Sequence, residues 1–108
     1  MNPHTATASH LVRTLAAAAR RAQTAADRLL TTAGDMHASV YATGVVPAPP
    51  GATAAALDAA ALAAASAAVS ALSVAIAPYA HTIPDVVRAA AYQGDETTVD
   101  AWAREVEA

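Results

Sequence analysis

The 108-residue sequence contains no cysteine, no phenylalanine and no lysine, and it has one tryptophan. Without cysteine the chain forms no disulfide and has no thiol chemistry. Few bulky side chains are present, and a core of small side chains buries little apolar area. Folding costs about 1–2 kcal/mol per residue in backbone entropy. The composition therefore favours self-association or a dedicated partner that supplies the missing burial.

Alanine accounts for 35 of the 108 residues, and residues 59–80 are a run of 22 residues without a charged side chain. Alanine is the strongest helix former because it loses no side-chain entropy in a helix. Its small side chain also lets two helices approach closely. We therefore predict an all-α fold whose helices pack at short range, against each other or against another chain.

The order of helix-forming and helix-breaking residues predicts a single domain, an antiparallel helical hairpin. Proline and glycine cluster mid-chain, where they cannot continue a helix and so mark a turn. Pro78 and Pro84 interrupt the second half, since each removes a helical hydrogen bond. The elements predicted within domain 1–108 are helix 1 at about 7–42, a Pro-rich turn at 43–51, helix 2 at about 52–93 with a kink or break near 78–84, and an acidic segment at 94–108.

Helix ends are predicted from short polar side chains, which accept hydrogen bonds from the free N–H groups of a first turn. Thr7 or Ser9 would cap helix 1. Thr97 and Asp100 could cap a last short helix in the acidic segment. That helix would carry its apolar residues on one side, namely Val99, Trp102 and Val106.

Apolar residues of helix 2 recur from residue 62 to residue 90 with alternating spacings of three and four. This spacing places them in one seam, the pattern with which a helix packs along a second helix. We expect the seam to bury against helix 1, or against a partner in a four-helix arrangement. Its candidate partner-interface residues are Leu62, Val69, Leu72, Ile76 and Ile83.

The charges are unevenly distributed along the chain. All six basic residues are arginine, and four of them lie in residues 1–33, whereas residues 92–108 carry five acids. Opposite charges favour these two segments lying side by side. Four arginines on one helix without interleaved aromatic residues argue against a nucleic-acid partner.

No constellation of residues suggests catalysis. The histidines, His4, His10, His37 and His81, show no zinc-site spacing relative to one another or to a carboxylate. No serine has the strained turn of a hydrolase nucleophile, and there is no Gly-rich phosphate loop. We therefore expect no enzymatic activity, no catalytic or metal-binding residue and no cofactor.

The run 59–80 is long enough to cross a bilayer. About half of it is alanine, which is nearly neutral for insertion, and it includes Ser66, Ser70 and Ser73. A small membrane-associated protein is therefore an alternative interpretation. An intracellular helical adaptor is another, which composition leaves open.

Tyr92 and Glu96 form a Tyr-x-x-x-Glu pair, which on a continuous helix would present a ring and a carboxylate on one face. The stretch from Val86 to Glu96 (Val-Val-Arg-Ala-Ala-Ala-Tyr-Gln-Gly-Asp-Glu), followed by Trp102, resembles the C-terminal end of EspC-like proteins. These are substrates of actinobacterial type VII (ESX) secretion. The layout of the whole chain is similar, and it lacks the Trp-x-Gly turn of the sister substrates, as EspC-like members do.

The resemblance implies a small helical hairpin, exported folded and often paired with a related protein. It implies that Tyr92 and Glu96 are the export signal, recognised by the secretion ATPase. The first ten residues carry no positive charge, unlike a secretory signal peptide. Export would therefore be independent of a signal peptide, from a cytoplasmic precursor. The expected partners are a second copy or a related helical protein, and the secretion ATPase.

Overall fold

The computed structural model describes the backbone of residues 2–43 and 52–108, and the side chains of these residues except 36–43 and 52. The predicted all-α fold is confirmed, and the described residues include no strand. Of the predicted turn at 43–51, only residue 43 is among the described residues. The elements are helix α1 (Pro3–Thr43), helix α2 (Ala52–Ile76), a 3₁₀ turn (Ala77–Tyr79), helix α3 (Asp85–Tyr92) and helix α4 (Glu96–Glu107).

Helix α1 begins at Pro3, earlier than predicted, and its cap is neither Thr7 nor Ser9. The side-chain oxygen of Asn2 accepts a hydrogen bond from the N–H of His4 at 2.9 Å. Proline suits a first helical position because its missing N–H would have no helical partner there. The hydroxyl of Thr7 instead donates to the carbonyl of Pro3 at 3.0 Å, within the helix.

The predicted break of the second helix is confirmed and is complete. Helix α2 ends at Ile76, and Pro78 lies in the 3₁₀ turn that follows. The N–H groups of Thr82 and Ile83 both donate to the carbonyl of Tyr79, which closes the turn. Pro84 then takes an extended conformation, with ψ at 144°, before α3 starts. The two prolines therefore redirect the chain instead of merely bending one helix.

The hydrophobic core lies at one end of the molecule, which we call the head: residues 3–19 of α1, the C-terminal end of α2, α3 and α4. Here α1 is covered on two sides, because α2 packs on one and α3 with α4 on the other. The predicted apolar side of the last helix is confirmed, with Val99 and Trp102 buried and Val106 half-buried. The buried residues of this core are Ala8, Val12, Leu15, Ala16, Ile76, Ile83, Val87, Ala90, Ala91, Val99, Trp102 and Ala103.

Beyond the head, α1 and α2 continue as an antiparallel pair that we call the stalk, residues 20–43 with 52–65. The molecule is 62 Å long, which matches the 41 residues of α1 at about 1.5 Å each. Among the described side chains of the stalk, only Ala25 and Ala65 are buried. The stalk therefore buries little apolar area of its own.

The charge asymmetry of the sequence has a structural counterpart in Arg13. Its guanidinium lies 3.0 Å from Glu107 and, through Nε, 3.4 Å from Asp100. The Nε–H has no hydrogen-bond geometry to an acceptor, so the Asp100 contact is coulombic. The buried hydroxyl of Ser9 donates to the same Glu107 carboxylate at 2.9 Å. These contacts fasten α4 antiparallel along the first turns of α1.

Candidate functional site

Tyr92 is the last residue of α3, and the residue stays 43% exposed. Its hydroxyl donates a hydrogen bond to Oγ of Ser73 at 2.8 Å, and the Ser73 hydroxyl donates to the carbonyl of Val69 at 2.8 Å. The phenol is thereby tied to the C-terminal end of α2. The side chain remains partly accessible to another molecule.

Glu96 is the first residue of α4 and is exposed. It does not share a helical turn with Tyr92, because Gly94 between them has φ at 72° and ends the helical path. Tyr92 lines a groove with Ala19 and Val69, whereas Glu96 lines a different groove with Arg20. The ring and the carboxylate therefore occupy neighbouring surfaces on either side of α1.

The turn between Tyr92 and Glu96 is held against α1 by two contacts. A Cβ built on Gly94 would lie 3.1 Å from both N and Cα of Arg20, so backbone meets backbone here. The side-chain amide of Gln23 donates to the carbonyl of Gln93 in the same turn. Both predicted recognition residues are thus positioned by α1 as well as by their own helices.

Asp95 caps α4, so the prediction of Thr97 and Asp100 as its caps is wrong. Its carboxylate accepts from the hydroxyl of Thr98 at 2.6 Å and from the N–H of Thr98 at 3.1 Å. The hydroxyl contact, followed by the backbone contact, lowers the pKa of Asp95 below its usual value. The ionised form of Asp95 therefore stabilises the start of α4 next to Glu96.

The residues predicted to form a partner interface are mostly used within the chain. Ile76 and Ile83 are buried in the head core, and Val69 and Leu72 pack partly buried against it. Leu62 is half-buried in the stalk. The seam was expected to bury against helix 1 or against a partner, and in the structure it packs mostly within the chain. The interpretation of these five residues as a partner interface therefore needs correction. The reason is that α3 and α4 fold back onto α1 and enclose the end of the seam.

The exposed apolar surface lies on the opposite side of α2, where sequence reasoning did not place it. A second series with spacings of three and four runs along this side, which we call the outer stripe: Ala56, Ala60, Ala63, Ala67, Ser70 and Val74. Every member is exposed, and Val74 keeps 75% of its surface. The sequence did contain a signal for this exposed surface, because helix 2 is apolar on all sides and one packing seam covers only one of them.

Two histidines come together at the end of the head. The rings of His4 and His81 lie 5.5 Å apart, and His4 also packs on Tyr79 at 4.5 Å. Among the described residues no group of three or more His, Cys, Asp or Glu side chains is placed to hold a metal ion.

Comparisons with protein-family models, with curated proteins and with solved structures find no match to this chain.

Proposed function

We propose that this chain is a substrate or an accessory protein of type VII (ESX) secretion that acts through protein–protein contacts and not as an enzyme. The proposal that the chain pairs with another protein rests on one observation, which is that the rest of the chain covers only part of α2. The segment Thr53–Tyr79 contains an 18-residue stretch with a mean hydropathy of 2.0, yet only 11% of that stretch is buried inside the chain. A helix that is apolar all round is normally covered all round. We infer that a helical partner covers the outer stripe.

The size of this face sets how much a partner can cover. Helix α2 has 25 residues and is about 37 Å long, and a helix is about 10–12 Å across. One side of α2 therefore offers roughly 400 Å², about half of the ~800 Å² that each partner buries in a standard interface. A pairing interface of standard size would therefore extend beyond the outer stripe onto neighbouring helices. Small residues along the outer stripe would let a partner helix approach closely, which suits a four-helix arrangement with a second copy or a related chain.

A single charge on the outer stripe tests the pairing. Ala67→Glu places a carboxylate in the middle of the stripe without touching the head core, so we expect a dimer to dissociate while helicity is kept. Ala101→Glu makes the same change at an exposed alanine of α4 and should leave the assembly intact. Light scattering coupled to size-exclusion chromatography, with the chain alone and with co-expressed neighbouring helical proteins, gives the mass. If the wild-type chain stays monomeric both alone and with the co-expressed proteins, the proposal that it pairs is wrong.

The export part rests on the resemblance of residues 86–102 and on the exposure of Tyr92 and Glu96. We expect Tyr92→Ala to abolish release into the medium while the circular dichroism of the protein stays helical. Tyr92→Phe keeps the ring and loses only the hydrogen bond to Ser73. Release of the Phe variant together with retention of the Ala variant would identify the ring as the recognised group. Unchanged release of Tyr92→Ala would remove the signal role.

A second candidate function is membrane association. By length and composition, Thr53–Tyr79 could cross a bilayer, and its low burial leaves that surface free for lipid. Cell fractionation separates the two candidates. The secretion proposal expects the chain in the soluble fraction without detergent, and the membrane candidate expects it to sediment with membranes and to resist carbonate extraction.

A further inference from the structure

We propose that the groove between α1 and α2 beside the start of α4 docks an acidic peptide segment of a partner protein. The groove has a volume of about 420 Å³ and is lined by the side chains of Arg20, Arg21 and Arg28. This inference goes beyond export and beyond pairing through the outer stripe, because neither requires an arginine at this place.

Among the described residues, the three groove arginines lack a carboxylate partner, as Arg104 on α4 also does. In residues 2–43 and 52–108, ion pairs within 4.0 Å form at Arg13 and Arg88, and none forms at these three groove residues. Guanidinium groups bind carboxylates through two parallel N–H···O bonds, which makes arginine the preferred residue for such recognition. Three exposed guanidinium groups at one groove are therefore the chemical complement of an acidic segment.

The shape of the groove suits an extended chain. Its floor consists of small side chains, including Ala17, Ala25 and Ala61, so a peptide backbone can approach the helices closely. The arginines lie on α1 over two turns of helix, at positions 20, 21 and 28. A peptide running along α1 would meet them in succession.

The two carboxylates of the groove select among anions. Asp58 from α2 and Glu96 from α4 both line it, yet neither lies within 4.0 Å of an arginine there. A nucleic-acid backbone carries a phosphate at every step and would be repelled by both. A peptide in which acidic and neutral residues alternate can bring carboxylates to the arginines and neutral residues to Asp58 and Glu96. The lining also lacks the aromatic side chains on which bases stack.

Fluorescence anisotropy with a labelled peptide of alternating Glu and Gly tests the proposal on the full chain. We expect Arg21→Glu to weaken binding by about tenfold or more, since a charged hydrogen-bonded contact is replaced by repulsion. Arg104→Glu, on the exposed side of α4, makes the same change in net charge and should alter the affinity by less than about threefold. Circular dichroism of both variants checks that the helices persist.

Several outcomes would overturn the proposal. Equal weakening by Arg21→Glu and Arg104→Glu would mean that net charge, not the groove, attracts the peptide. Equal binding of a Lys–Gly peptide would remove the charge complementarity. Tighter binding of a single-stranded oligonucleotide or of anionic vesicles would assign the groove to another class of ligand. Undetectable binding of the Glu–Gly peptide at low salt would also count against it.

Discussion

Gly94 lies against the backbone of Arg20, so that an added Cβ would stand 3.1 Å from both its N and its Cα. This contact joins the α3–α4 turn to the middle of α1 and places Glu96 beside the groove arginines. The position also has φ at 72°, in the left-handed region that glycine enters freely and other residues enter at a cost. Geometry and conformation therefore both require glycine here.

The first prediction follows from that contact. Gly94→Ala should lower the free energy of unfolding by about 1–2 kcal/mol from backbone conformation alone. The close approach to α1 adds to this loss, because backbone cannot move aside as a flexible side chain can. Urea denaturation followed by circular dichroism gives the difference.

Gly34→Ala is the matched control. Gly34 lies inside α1 with nothing within 4 Å of an added Cβ, so the change should raise stability by about 0.5–1 kcal/mol. Equal effects of the two substitutions, in either direction, would contradict the role assigned to Gly94.

Periodicity and helix breakers predicted the hairpin, the seam and the break, because these depend on residues close in sequence. The seam at Ile76 and the prolines at Pro78 and Pro84 are local signals of this kind. The return of α4 onto α1 was indicated only by the opposite charges of the two segments. Its partners, such as Ser9 with Glu107, are separated by 98 positions, and no local pattern pairs them.

The candidate site was harder to predict for the same reason. The Tyr-x-x-x-Glu spacing suggested one helical face, but a single glycine with positive φ separates Tyr92 from Glu96. Several short polar residues compete to cap α4, and only the backbone path selects Asp95. The exposed side of α2 could not be identified from the sequence, because the outer stripe repeats with the same spacings as the seam that packs against α1.

A second prediction concerns the fastening of α4 by Arg13. Arg13→Met keeps much of the apolar stem and removes the contacts to Asp100 and Glu107. Because the guanidinium side chain is 37% exposed, screening by water and salt limits the loss, which we expect to be about 1 kcal/mol. The difference should shrink as salt is raised.

Arg104→Met is the control for the Arg13 substitution. Arg104 is exposed on α4 and has no carboxylate within 4.0 Å among the described residues, so its loss should change stability by less than about 0.5 kcal/mol. A salt-independent loss at Arg13 would show that packing of its stem, and not charge, holds α4 in place.

A third prediction is a pH dependence at the cap of α4. The pKa of Asp95 is lowered in the folded chain by its bonds to Thr98, so its ionised form favours folding. This contribution is present above the unfolded value near 3.8 and is lost as pH falls through the lower folded value. Asp95→Asn should therefore unfold at lower urea than the wild type at neutral pH, with the gap closing below pH ~3.8.

Thr98→Val should reduce the same pH dependence, because it removes the hydroxyl that contributes most to the lowered pKa and keeps the backbone donor. A gap between wild type and Asp95→Asn that persists unchanged into strong acid would contradict the assignment.

The fourth prediction separates the head core from the outer stripe. Trp102 is 8% exposed and packs in the core, whereas Val74 is 75% exposed on α2. Trp102→Ala should cost about 3–5 kcal/mol because it leaves a cavity, a large share of the ~5–15 kcal/mol that holds a typical domain together. Val74→Ala should cost less than about 0.5 kcal/mol in the isolated chain, since Val74 contacts little of it. Urea denaturation of dilute protein measures both values. If Val74→Ala proves as costly as Trp102→Ala under conditions where the chain is monomeric, the outer side of α2 is buried within the chain, and no free face remains for a partner.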